Sequence, residues 1–569
     1  MADSPPNGPG SAPPQSGGDD RLWRVLSGAL LVALLGVMLA TFLDYGITWD
    51  EGMHNRYGRR VVRWYTTLGA DASALDPNGI YFYGGLFELA AYGAEQLSPL
   101  GVYETRHLVN VLVAFIAFIA AWGMGTQLGG PAAGFMSALF LALTPAFYGH
   151  AFANPKDIPL ASLFALAAWV ALWASEKLPG LGWKEAIGTG IAIGLAAGVR
   201  VVGIVLFAAT AVLWLGCLWL RAGEARGSEQ RPGRQDVQRT IVGLLISIVV
   251  GWMVMVSVWP WAQLDPISNP FRSFLKFSRF RETLTVLFDG QLLTSGDVSR
   301  YYIPKLFILT LPEFYFLAFL LGGLSLLSWL RAHGWKRASE RSFKILWVSA
   351  IAFLPIVWVV VRHTPFYDGH RHLLFVVPFI AVLAGTAAVA YLRGRAARPA
   401  RAIAALGLGA SCLLTVIDMI QLHPYQYVYF NRLFAGGLAG AVNRYETDYW
   451  CASYKEGLDW VVRHYARPDR KGRVRVAGYA YPAHVGLWRY LGQTEEGRRG
   501  FEVVSLGDDP NVVLATTALR DQEQTPGRVV HVVERQGAPL LYIFEVRAPD
   551  QFPLPQAAGD DRVGIPLTP

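Results

Sequence analysis

The sequence predicts an α-helical polytopic membrane protein with about 11 transmembrane helices and a small C-terminal α/β domain. Three observations predict it. Apolar runs near the ~20 residues that cross a hydrocarbon core recur through the first three-quarters of the chain. Charged residues make up 16% of the 569, where soluble domains carry about 25%. The remaining Lys and Arg gather between alternate apolar runs, which is how polytopic chains set their orientation.

The stretch 1–21 is rich in Pro, Gly and Ser and is expected to be a disordered cytoplasmic N-terminus. The transmembrane region, 22–420, divides into spans at 24–43, 107–127, 131–148, 158–175, 186–199, 201–220, 240–259, 305–330, 345–361, 373–391 and 403–420. The fifth and sixth could be one kinked segment around Arg200. Charge argues for two. With a cytoplasmic N-terminus, the basic loops 176–185, 221–239, 331–344 and 392–402 then share one side. The loop 221–239 carries Arg221, Arg226, Arg231, Arg234 and Arg239, and the loop 392–402 carries Arg393, Arg395, Arg398 and Arg401.

The extracytoplasmic side receives the loops 44–106, 149–157, 260–304 and 362–372, and a domain at 421–569. That domain shows an amphipathic helix at Tyr454–Tyr465 and strands at 473–479, 501–506, 511–517, 528–534 and 540–546. The last two strands read as a hairpin. The final twenty residues are Pro-rich and expected to be loose. The net charge of +8 forms no nucleic-acid stripe, so no nucleic-acid partner is expected. Cys217 and Cys412 lie in apolar runs and Cys451 stands alone in a polar segment, so nothing in the sequence suggests a disulfide scaffold or a Cys/His zinc site.

Four segments carry candidate chemistry. Asp44, Asp50 and Glu51 follow the first span. Carboxylates at a membrane surface are costly unless solvated or used. They fit a solvated loop edge, or a general base that deprotonates an attacking hydroxyl. Lys156 and Asp157 open the fourth span. Asp157 could simply cap that helix, or Lys156 could bind a lipid phosphate while Asp157 supports the acidic site. Arg200 at membrane depth should face an anion or a polar cavity, unless it snorkels. Arg362, His363, Asp368, His370, Arg371 and His372 crowd one short loop. Three His and an Asp suggest a metal, but two Arg favour a phosphate clamp. Arg106 enters the second span, where interfacial anchoring is the competing reading.

The run Trp49-Asp50-Glu51 resembles the Asp-Glu motif of glycosyltransferase family 39, the protein O-mannosyltransferase-like group. The stretch 106–160 is similar to the same family, with Arg106 entering a helix, Gly129-Gly130, Thr144-Pro145 and Asp157. Residues 369–378 resemble its late helix start, an Arg before an apolar, Pro-containing helix. The resemblance implies the C-type glycosyltransferase fold over roughly 22–420 and a polyprenyl-phosphate sugar donor. It implies an acceptor that is a lipid, a glycan or a protein. It also implies that Asp50 is the catalytic base, with Glu51 and Asp157 beside it. Lys156, Arg200, Arg371 and His372 are its donor-phosphate candidates, and Asp44, Arg106 and His370 its supporting candidates. No cofactor or metal is expected, although Asp50 and Asp157 could hold a hard divalent ion. The expected location is the bacterial inner membrane. A transporter or flippase of lipid-linked sugars is the alternative, but no internal repeat supports it. No long insertion matches the luminal β-trefoil of eukaryotic mannosyltransferases. The aromatics near 444–450 could stack on sugars or pack the tail onto the membrane domain, and packing is the expectation.

Overall fold

The computed structural model describes residues 17–77, 79–224, 232–278, 284–333, 339–466, 472–479 and 483–546. The chain enters at α1 (Gly17–Thr41). Residues 17–21, expected to be disordered, form its first turn because Asp19 and Asp20 favour a helix N-terminus. The rest of that expectation, 1–16, lies outside the described residues, as do the final twenty.

Two amphipathic helices, α2 (Trp49–Thr66) and α3 (Leu86–Leu97), lead to α4 (Val102–Gly129). The segment 44–106, expected as a loop, is therefore largely helical. The third span is broken into α5 (Pro131–Ala142) and α6 (Pro145–Ala153), bent by 66°. A proline pushes the preceding residue out of the helical region, and Thr144 is extended there, with φ −94° and ψ 98°. Next come α7 (Asp157–Ser175), α8 (Trp183–Ala197), α9 (Val205–Glu224) and α10 (Arg234–Ser257). Short helices α11 (Pro260–Leu264) and α12 (Ser268–Ser278) precede a hairpin of β1 (Thr285–Phe288) and β2 (Gln291–Thr294). The eighth span is also broken, into α13 (Tyr302–Thr310) and α14 (Glu313–His333). The carbonyls freed at this break, Ile308 and Leu311, accept hydrogen bonds from the Asn431 amide at 2.6 and 2.9 Å. Backbone groups loosened at membrane depth need such partners. Helices α15 (Glu340–Arg362), α16 (Val377–Leu392) and α17 (Arg398–Leu422) complete this region.

Among the described residues, nine helices are long and apolar enough to cross a membrane, and the bent pair makes a tenth. The short α8, 15 residues long, is the eleventh passage. It runs alongside α10 in the same direction, Gly190 against Ser247 and Gly194 against Gly251. Small residues allow such close approach in a membrane. A Cβ on Gly194 would stand 2.5 Å from the Gly251 carbonyl oxygen. Gly194→Leu is therefore expected to cost about 1–3 kcal/mol by overpacking, read as a lower melting temperature in detergent. An unchanged melting temperature would refute this contact.

The basic ends of the helices collect at one end of the bundle. Arg221 pairs with Glu340 at 2.7 Å, and Lys344 with Glu176 at 2.6 Å and Glu340 at 2.7 Å. Arg341 donates to the Leu128 carbonyl at 2.7 Å, and Arg393 pairs with Asp19 at 2.8 Å. The ends of α7, α9, α4, α16 and the starts of α15 and α1 thus meet, as the charge pattern predicts. The starts of α2, α7 and α16 meet at the opposite end.

The tail begins with α18 (Arg432–Ala435), α19 (Gly437–Ala441) and α20 (Tyr454–Tyr465), which matches the expected helix. It continues through β3 (Val474–Gly478), α21 (Ala483–Gln493), α22 (Glu495–Gly500), β4 (Phe501–Val503), β5 (Val512–Thr516), α23 (Asp521–Gln524), β6 (Arg528–Arg535) and β7 (Ala538–Glu545). The sheet order is β4-β3-β5-β7-β6, with β3 parallel to β4 and β5 and the β6–β7 hairpin antiparallel. The tail sits at the end of the bundle where α2 and α7 start: Arg535 and Gln536 reach His423 and Asp418 at the close of α17.

Candidate active site

Three chain segments converge at that end. At the start of α2, Thr48 is extended and its N–H donates to Glu51 Oε2 at 2.7 Å. This reach-back closes the first turn and fixes Asp50 within it. At the start of α7, Asn154 Oδ1 accepts from the N–H groups of Asp157 at 2.8 Å and Lys156 at 3.3 Å. At the start of α16, Asp368 and Gly369 both adopt left-handed φ, 54° and 69°. They turn the chain sharply into the 3-10 turn that begins with Arg371.

The backbone around Arg200 is itself held in place. Between α8 and α9 it is extended, φ −144° and ψ 136°. The segment 84–86 pairs with that break: Gly84 N–H donates to the Val199 carbonyl and Leu86 N–H to the Gly198 carbonyl, each at 3.2 Å. A Cβ on Gly84 would fall 1.9 Å from the Gly198 oxygen, so only glycine fits.

The result is one buried ionic cluster. Asp50 Oδ2 lies 2.7 Å from Lys156 Nζ and 3.3 Å from Arg371 Nη1. The same Nη1 lies 3.3 Å from Asp157 Oδ2, and Arg371 Nη2 lies 2.5 Å from Asp368. Asp157 Oδ1 pairs with Arg200. Arg371 is only 1% exposed and Asp157 2%. Three carboxylates face three cations. Burial alone would raise the Asp50 carboxyl, but Lys156 and Arg371 outweigh it and hold it at about 2. Asp368 moves the other way, pushed up by burial despite Arg371, with the Asp50 charge adding to the rise.

The remaining candidates lie around the cluster or apart from it. Glu51 sits about a quarter-turn round the helix from Asp50. It serves the α2 cap and approaches His107 Nε2 at 2.9 Å. Arg106 is spent on Glu88 and, at 2.9 Å, on Glu95. Asp44 is half-exposed and pairs with His423 at 2.9 Å. His372 sets its ring against Tyr367 with centroids 4.9 Å apart. His370 borders a small cavity shared with Tyr302, Thr310, Glu446 and Tyr449, and burial pulls it down to about 4.

Several neighbours were not singled out from sequence. Asn154 is one, within a segment that was, whereas Asp368 was itself among the candidates of its loop. The tail adds Trp450, whose ring centre is 5.2 Å from the Arg371 guanidinium, and Tyr449, whose hydroxyl is 2.9 Å from His150 Nε2. Both pack the tail onto the membrane domain, as expected of these aromatics. His54, one turn after Asp50, bonds Glu88 through Nδ1 at 2.7 Å. Reading Thr48 and Glu51 as an N-cap and its N3 partner would have predicted α2, and with it the shared face of Asp50 and His54.

Residues 104–222 match the family model described as dolichyl-phosphate-mannose-protein mannosyltransferase. The match runs from α4 into α9. Solved structures similar to the chain include ArnT from Cupriavidus metallidurans bound to undecaprenyl phosphate. It is 15% identical, with a TM-score of 0.46, covering 92% of this chain and 98% of that one. The oligosaccharyltransferase AglB from Archaeoglobus fulgidus, in complex with an inhibitory peptide and a dolichol-phosphate, is 12% identical with a TM-score of 0.44. That likeness covers 87% of this chain and 69% of that one. No curated protein matches the chain.

Proposed function

We propose that the chain is a C-type glycosyltransferase that moves a sugar from a polyprenyl-phosphate-linked donor to an acceptor on the extracytoplasmic face of the inner membrane. The observation that supports it most is the convergence of Asp50, Lys156, Asp157, Arg200 and Arg371 at one end of a membrane bundle. The family-model match over 104–222 supports a lipid-phosphate sugar as donor. The basic loops at the other end support an extracytoplasmic position for the cluster.

In this reading the acceptor hydroxyl oxygen attacks the anomeric carbon and Asp50 takes its proton. The bond from that carbon to the phosphate oxygen breaks, and its electron pair leaves on the phosphate. Lys156, Arg200 and Arg371 offset the charge that develops there. Asp50 held at about 2 is a weak base. A phosphate that draws Lys156 and Arg371 towards itself removes the two charges that weaken it. Donor occupancy then strengthens the base.

Lysine and arginine already neutralise these carboxylates, so transfer is proposed to need no divalent ion. Purified protein in proteoliposomes should keep full activity after chelator treatment, and activity restored only by added Mg²⁺ or Mn²⁺ would reverse this point. The main test is mass spectrometry of a deletion strain. A lipid-linked sugar should accumulate while one glycosidic linkage disappears from an envelope glycan, lipid or protein. If purified protein moves the lipid-linked sugar across proteoliposomes and forms no glycosidic bond, the transferase reading is wrong.

A further inference from the structure

A series of hydrogen bonds joins the tail to the ionic cluster, and the reaction above does not use it. It starts in the turn 448–453, between α19 and α20. Asp448 is buried there and accepts from the N–H groups of Ala452 and Ser453, each at 3.0 Å. Such local bonds from a side chain to its own backbone hold a turn in shape. The turn sets Tyr449 and Trp450 against His150, which is buried on α6. The Trp450 ring meets the imidazole edge-on with centres 4.6 Å apart, and the Tyr427 ring centre is 5.6 Å away. The Tyr449 hydroxyl lies 2.9 Å from His150 Nε2. Across the imidazole, His150 Nδ1 lies 3.4 Å from Asn154 Nδ2, which is also 3.2 Å from Asp157 Oδ2. That Oδ2 is the atom that meets Arg371 Nη1 at 3.3 Å.

Donors and acceptors run one way along this series. The Asn154 side-chain oxygen already accepts the N–H of Asp157 at 2.8 Å and that of Lys156 at 3.3 Å. Its amide nitrogen therefore faces Asp157 and His150, and an amide nitrogen only donates. One hydrogen goes to Asp157 Oδ2 and the other to His150 Nδ1. Nδ1 must then be bare, so the neutral ring carries its hydrogen on Nε2 and donates it to the Tyr449 oxygen. Asn154 is buried, where water does not replace a lost partner. This amide sets both residues that open α7. Lys156 reaches Asp50, and Asp157 ties Arg200 to Arg371.

We infer, on the basis of the transferase reading, that Tyr449 of the tail is a positioning residue for Asp157, acting through His150 and Asn154. The hydroxyl fixes the imidazole, the imidazole fixes the amide, and the amide fixes the carboxylate that orients Arg200 and Arg371. The tail is then part of the active site and not only its cover. The role requires no contact between Tyr449 and the sugar or the phosphate.

The experiment measures kcat and KM for a polyprenyl-phosphate-linked sugar with purified full-length protein, beside the melting temperature of each preparation. Tyr449→Phe keeps the ring and deletes one oxygen. It should lose about 10-fold in kcat, within the ~10²-fold that a 1 Å misplacement can cost, while KM and melting temperature stay near wild type. His150→Asn keeps an acceptor beside Asn154 but is too short to reach Tyr449, and it should show a similar loss. Adding Tyr449→Phe to it should cost almost nothing more, since residues acting through one another are non-additive. Arg535→Gln weakens the tail elsewhere, where it meets the His423 carbonyl at 3.0 Å. It should lower the melting temperature and leave kcat unchanged. Wild-type kcat in Tyr449→Phe, a loss that simply adds to that of His150→Asn, or an equal loss in Arg535→Gln would make Tyr449 a docking contact and overturn the inference. Absence of any sugar transfer by wild type would instead overturn the transferase reading, and the positioning role with it.

Discussion

Replacing Arg371 by alanine is expected to abolish transfer and to cost about 3–5 kcal/mol of folding stability. Arg371 is 1% exposed and touches Asp50, Asp157 and Asp368. Its removal leaves three carboxylates facing only Lys156 and Arg200. Breaking a buried ion pair on one side strands charge in a medium that cannot solvate it. Arg371→Lys keeps the charge but loses the planar fork that meets Asp368 through Nε at 3.1 Å and Nη2 at 2.5 Å. It should fall between wild type and alanine in both melting temperature and rate. Thermal unfolding in detergent and transfer assays on the same preparations check this. A wild-type melting temperature in Arg371→Ala would mean that the cluster does not hold this end of the bundle together.

Asp50→Asn should lower transfer about 10²–10⁴-fold, the usual contribution of a positioned base. The substitution conserves shape, so the protein should still fold, though on the order of 2 kcal/mol less stable at neutral pH. The sign follows from Asp50 being lowered to about 2 by Lys156 and Arg371. A depressed carboxylate stabilises the fold above its unfolded value, ~3.9. That contribution fades as pH falls from about 4 to about 2. Wild type should therefore lose stability in this window, and Asp50→Asn should lose less. Full transfer in the purified variant would remove Asp50 from the chemistry.

The spans were legible because each needs only length and apolarity, both local properties. The tail strands were legible for the same reason, through alternation and turn residues. Two hidden features had readable signals. The β1–β2 hairpin turns on Asp289-Gly290, a strong turn dipeptide. The helix α2 begins with Thr48 and Glu51 at capping spacing. The broken spans were harder. A proline marks each break, but the bend angle depends on what satisfies the freed carbonyls, and for α13–α14 that partner is Asn431 from the tail.

The sequence by itself determined the membrane class, the alternation of charge along the loops and the four candidate acidic and basic segments. Those follow from solvent preference, which each residue expresses wherever the chain places it. Only the tertiary structure decided which of the candidate ions meet. Asp50 and Glu51 are adjacent in sequence, yet one joins Arg371 and the other caps a helix. Asp50 and Arg371 are 321 positions apart and lie within 3.3 Å. Ionic contact depends on a few ångströms of separation and on the loss of water around the pair, and neither is encoded at a single position.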